Sequence, residues 1–94
     1  MKENYSKQNN AIRVFKVLAN ANRLKIIKFL IEKESNSATV TEIINSTRIS
    51  ESNLSNHLKL MRISKILSAR QNGSFMHYSI KEPMIIDIVS RAFR

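Results

Sequence analysis

The sequence predicts a mainly α fold carrying one β-hairpin, in the order α-α-α-α-β-β-α. Three observations predict it. Apolar residues recur at three- and four-residue spacing from Ala11 to Met61, the period changes to two on either side of Asn72-Gly73, and the helical period returns after Pro83. A length of 94 residues fits one domain, expected here over residues 11–94 with a flexible lead over residues 1–10. A single Gly and a single Pro leave little material for phosphate-cradling loops or long structureless linkers.

Each element has its own local reason. In the first helix Ile12, Phe15, Leu18 and Ala19 recur at three and four, and Asn20 is a good N-cap for a second helix from Ala21. That second helix places Leu24, Ile27, Leu30 and Ile31 on one face, with Arg23, Lys25 and Lys28 around the other, and runs out in the polar stretch Glu34 to Ser37. A short third helix, Val40 to Thr47, turns Val40, Ile43 and Ile44 inward. Ser50 caps the fourth, residues 51–62, and Glu51 suits the positive end of its dipole. Leu54, Leu58 and Met61 share one face of it with His57 on the margin, while Ser52, Ser55, Asn56 and Lys59 occupy the opposite side. Helix surfaces serving solubility alone usually carry long Glu and Lys side chains, whereas short hydroxyl and amide groups can approach a base edge closely.

The runs Ile66 to Gln71 and Phe75 to Ile80 have strand length, and Asn72-Gly73 between them is a strong hairpin signal. On the second strand Met76, Tyr78 and Ile80 face one way and Phe75, His77 and Ser79 the other. Pro83 opens a last helix, Met84 to Phe93, with Ile85, Ile88, Val89 and Ala92 as its stripe.

Charge speaks about partners. Sixteen Lys and Arg against seven Asp and Glu give +9, concentrated in residues 1–34 and 48–81, a field that favours polyanions. The absence of Cys removes disulfides, thiolate metal sites and thiol switches. No apolar run reaches membrane-spanning length and the first residues lack a signal-peptide core, so a cytoplasmic location without a membrane partner is expected. No nucleophile–His–acid spacing, carboxylate pair or phosphate cradle can be assembled, which predicts a non-enzyme without cofactor or metal. Of the two histidines, His57 is expected to pack or hydrogen-bond, and His77 to lie on the strand surface or touch a phosphate.

Two short helices with a tight connection followed by a basic hairpin read as a helix-turn-helix with a wing. The stretch Val40 to Leu58 (VTEIINSTRISESNLSNHL) resembles the helix-turn-helix of the ArsR/SmtB-type winged-helix repressors, and the likeness extends upstream through Leu18-Ala19-Asn20-Ala21-Asn22-Arg23-Leu24 and downstream from His57-Leu58-Lys59 to Tyr78. It covers residues 11 to 93. The resemblance implies a winged helix-turn-helix in which residues 51–62 form the recognition helix and residues 66–80 the wing. Ser52, Asn53, Ser55 and Asn56 match base-reading positions, Arg48, Lys59 and Arg62 suit phosphates, and Arg70, Gln71, Asn72 and Ser74 form the wing tip. It further implies a homodimer through the terminal helices, with Ile12, Phe15, Ile85, Ile88, Val89, Ala92 and Phe93 as interface candidates, binding double-stranded DNA at a palindromic promoter operator. The alternatives are an interaction module that forms a heterodimer with a related regulator, and a sensor of a non-metal effector.

The chain also departs from the family pattern. Thr39 and Thr41 stand where metal-sensing members carry Cys-x-Cys, and residues 84–94 hold no His for the family's other metal site. Arg48 and Lys65 stand where the family often has glycine, and either could adopt a left-handed conformation only at some cost, which leaves the turn geometry open.

Overall fold

The computed structural model describes residues 2–94, with side chains described from Tyr5 onward. Side-chain caps set the helix starts. Asn20 Oδ1 accepts the Arg23 N–H at 3.1 Å and separates α1 (Lys2–Leu18) from α2 (Ala21–Glu32). Thr39 and Glu42 form a reciprocal capping box at the start of α3 (Val40–Thr47), and Ser50 Oγ accepts the Asn53 N–H at 3.4 Å at the start of α4 (Glu51–Ile63). Glu82 caps α5 (Pro83–Ala92), with Pro83 in the first turn where its missing N–H costs nothing.

Between α2 and α3 lies a strand that sequence periodicity does not predict, β1 (Ser37–Thr39). It pairs antiparallel with β3 (Phe75–Ile80), which also pairs antiparallel with β2 (Leu67–Asn72), giving the order β1-β3-β2. Three residues are too few to show a period of two, so only the free edge of β3 reveals β1. Gly73 at φ 64° and Ser74 close the hairpin, Gly73 taking the first central position as a II′ turn requires. The result is a winged helix-turn-helix.

Arg48 and Lys65 do adopt left-handed backbone, at φ 61° and 62°. Arg48 donates its N–H to the Ile44 carbonyl at 2.8 Å and turns the chain sharply from α3 towards α4. After α4, the N–H groups of Lys65 and Ile66 reach back to the carbonyls of Arg62 and Met61 at 3.0 and 2.9 Å, a Schellman arrangement built on Lys where Gly is usual.

The core is one cluster, with Val14 and Val17 from α1, Ile26, Ile27 and Leu30 from α2, Ile43 from α3, and Leu54, Leu58 and Met61 from α4. Two expectations need correction. Where a loose lead was expected over residues 1–10, α1 is helical from Lys2; no Gly or Pro interrupts it, and the turns docked through Val14 and Val17 propagate upstream (Met1 lies outside the described residues). On α5, two residues expected at the dimer interface are buried instead. Ile85 and Val89 are 0% and 3% exposed because α5 lays this i, i+4 pair into the core of its own chain. On α1 Val14 and Val17 point inward, whereas Ile12 and Phe15 remain 41% and 56% exposed.

Candidate nucleic-acid interface

Burying Leu54, Leu58 and Met61 fixes the rotation of α4 and turns its other side to solvent. Ser52, Asn53, Ser55 and Asn56 are all exposed there, and among the described residues none of the four side chains is held by a protein partner. The helix therefore presents a row of short donors and acceptors, the groups that can bond base edges in a major groove wide enough for one helix.

Cations frame this row at both ends. Arg48, in the α3–α4 turn, and Lys59 and Arg62, towards the end of α4, are exposed. Among the described residues the carboxylates that form ion pairs do so elsewhere, Glu82 with Arg13, Glu32 with Lys28 and Glu42 with Lys33. The three cations beside the polar row are thus left for an external anion. Ser55, Lys59 and Arg62 border a concavity of about 450 Å³ with Ile63 and Tyr78, between α4 and the sheet. From the sequence Tyr78 has no role beyond the shared face of its strand. Its phenol is an apolar body with a polar tip beside two cations, and that amphipathic chemistry is the signal that could have singled it out.

The wing places Arg70 directly opposite His77 and Asn72 opposite Phe75. Gln71 is exposed yet tied to the turn, donating from Nε2 to the Gly73 carbonyl at 3.3 Å, and Ser74 is exposed at the tip. Because β1 lies beside β3, Ser35 and Ser37 join Arg70, Asn72, His77 and Ser79 around a second concavity of about 440 Å³. Sequence reasoning misses the two serines because it misses β1.

His57 is half-buried on the margin of the α4 core face. Burial pushes its imidazole below the ordinary histidine range and the nearby positive charge of Arg23 adds to the shift, so it is neutral at pH 7. Thr39 and Thr41 do not fit a soft-metal site. Thr39 Oγ1 is engaged as the cap of α3, Thr41 is exposed, and hydroxyls lack the donor strength of thiolates. Among the described residues no cluster of three His, Asp or Glu side chains could hold a metal ion, and no helix is long and apolar enough to cross a membrane.

Residues 20–68 match the model of bacterial regulatory proteins of the arsR family. A probable mercury resistance operon repressor of Streptomyces lividans is 34% identical over 80 residues, which cover 85% of this chain and 62% of that protein, so the chain spans less than two thirds of its relative's length. The crystal structure of the transcriptional repressor PagR of Bacillus anthracis is similar at TM-score 0.84 and 30% identity, over 94% of this chain and 98% of that one. A homodimeric winged helix-turn-helix DNA-binding domain from Mycobacterium bovis is similar at TM-score 0.81 over 99% of this chain and 83% of that one; at 22% identity the likeness concerns the fold alone.

Proposed function

This chain belongs to the arsR family of bacterial regulatory proteins, and on that footing we propose that it is a sequence-specific DNA-binding transcriptional regulator of the cytoplasm, a homodimeric repressor without catalytic activity or cofactor. The observation that carries the reading is the open row of Ser52, Asn53, Ser55 and Asn56 on α4, flanked by Arg48, Lys59 and Arg62, cations without an ion-pair partner among the described residues. Basic charge draws the protein to duplex DNA, phosphate contacts from the cations fix its register, and the short polar groups select the bases. Arg70 and the wing tip lie over the neighbouring backbone or minor groove, where a narrow groove's negative potential favours a guanidinium.

Two copies are needed because one recognition helix reads only a few base pairs. The dimer face consists of Ile12, Phe15, Ile88, Ala92 and Phe93, and the exposed Tyr5 and Ile86 widen the apolar surface of α1 and α5. Pairing doubles the charge from +9 to +18 and presents two α4 helices to successive turns of one DNA face. Repression then follows from occupancy, since a protein seated on a promoter excludes polymerase.

Selection from a pool of random duplexes tests this. The expected product is an imperfect inverted repeat whose half-sites lie about one helical turn, roughly 34–36 Å, apart. A pool that shows no enriched sequence after several rounds overturns the proposal.

A further inference from the structure

Arg13 joins three parts of the fold. Its Nη1 donates to the Ser64 carbonyl at the end of α4 at 2.6 Å, and its Nη2 donates to Glu82 Oε1, the cap of α5, at 2.5 Å and also to Asn10 Oδ1. Beside it a cleft of about 500 Å³ opens between α1, the start of α2 and the last turn of α4, within the range that small ligands fill. Ile12, Val17 and Leu60 give it an apolar wall, and Leu60 is 43% exposed, which leaves an aliphatic surface uncovered. Arg13, Lys16 and Arg23, together with Asn9 and Ser64, line the rest, with no carboxylate among the lining residues. Arg23 uses Nε and Nη2 on the carbonyls of Val17 and Lys16, at 2.8 and 3.2 Å, and Lys16 has no carboxylate partner among the described residues.

A cleft that pairs apolar wall with unneutralised cations selects a particular chemistry. A bare phosphate gains nothing from Ile12 and Leu60, and a neutral hydrocarbon gains nothing from Lys16 and Arg23. We propose that this cleft binds a small organic anion with an apolar body, its charged head against Lys16 and Arg23, and that α4 senses its occupancy through Arg13. A carboxylate in the cleft competes with the Ser64 carbonyl and Glu82 for the donors of Arg13, which loosens the end of α4 from α1 and α5. Ile12 is the rim shared with the proposed dimer face; Phe15 lies about 60° further round α1 and does not line the cleft. The binding half stands on the cleft alone, and the sensing half rests on the proposed DNA recognition.

The test titrates 4-phenylbutyrate, and separately the neutral 4-phenylbutan-1-ol, into the full chain without DNA, followed by amide chemical shifts. Saturable binding at one site per chain is expected, with shifts at Lys16, Arg23 and Ser64 and affinity about tenfold or more above that of the alcohol, the size of a single charge-assisted contact. Lys16→Glu is expected to abolish that preference, while Lys7→Glu, an exposed change outside the cleft, leaves it intact. Equal binding of acid and alcohol, indifference to Lys16→Glu, or shifts confined to Phe15 and α5 overturns the proposal. In a second arm, saturating phenylbutyrate is expected to lower affinity for a selected duplex about threefold or more, and the duplex must weaken phenylbutyrate by the same factor. Unchanged DNA affinity overturns the sensing half. Because the first titration contains no DNA, it measures occupancy of the cleft even in a chain that recognises no DNA sequence.

Discussion

At the scale of residues, the side chains on the outer face of α4 are short enough to let its backbone approach the floor of a groove. Asn56 is the sharpest case, because a carboxamide can donate to and accept from one adenine simultaneously. Asn56→Ala is expected to weaken binding to a selected duplex by about 1–3 kcal/mol while leaving random duplex nearly unaffected; equal losses on both, measured by fluorescence anisotropy, would remove Asn56 from base reading. Arg70 obeys a different rule. A phosphate contact carries no sequence information, so Arg70→Ala is expected to weaken both duplexes and to reduce the slope of log affinity against log salt by about 1. An unchanged slope counts against a phosphate contact there. The Ser/Asn row was legible in the sequence because its members recur on one face of a single helix. Arg13 was not, since its partners Ser64 and Glu82 stand 51 and 69 residues away and no local pattern announces such a contact.

At the scale of elements, boundaries followed local chemistry and buried faces did not always do so. Asn20 and Ser50 announce α2 and α4 because a capping side chain acts on the backbone two or three residues ahead, a local event that the sequence displays. The inward face of α1 was not legible, since periodicity marked Ile12, Phe15, Leu18 and Ala19 without telling that the adjacent stripe of Val14 and Val17 meets the core. The α3 cap gives a pH test. Glu42 is held at about 2, below its ordinary value of 4.5, first by the Lys33 ammonium and then by the Thr39 N–H. A carboxylate depressed in the folded state stabilises above its unfolded value and loses that contribution as pH falls through the folded one. Its side chain is 40% exposed, so solvent screening limits the gain; Glu42→Gln is expected to cost about 0.5–1 kcal/mol near pH 7. In urea titrations the gap between the two proteins should close as pH drops from about 4.5 to about 2. A gap that stays constant across that window excludes the Glu42 charge as its source.

At the scale of the whole molecule, two opposing forces meet on α1 and α5. Each chain carries +9, so two copies repel, and association has to come from apolar surface that the chain's own core leaves uncovered. Phe15 at 56% exposure and Ile12 at 41% supply such surface on α1, and Ile86 at 38% supplies it on α5. Phe93 is partly satisfied within its own chain, with the Lys28 ammonium 4.6 Å from its ring centroid, which makes Phe15 the better probe. Placing a carboxylate at position 15 removes apolar area without touching the core, so Phe15→Glu is expected to keep the fold while raising the dimer dissociation constant about tenfold or more, about 1.4 kcal/mol, as lost burial of one aromatic implies. Sedimentation equilibrium and far-ultraviolet circular dichroism measure the two quantities separately. Salt adds an independent check because it screens both repulsion between copies and attraction to phosphates. Raising it should strengthen the wild-type dimer while weakening its hold on DNA. A wild-type chain that sediments as a monomer at every salt concentration overturns the dimer, and a Phe15→Glu chain that dimerises as tightly as its parent places the pairing surface elsewhere.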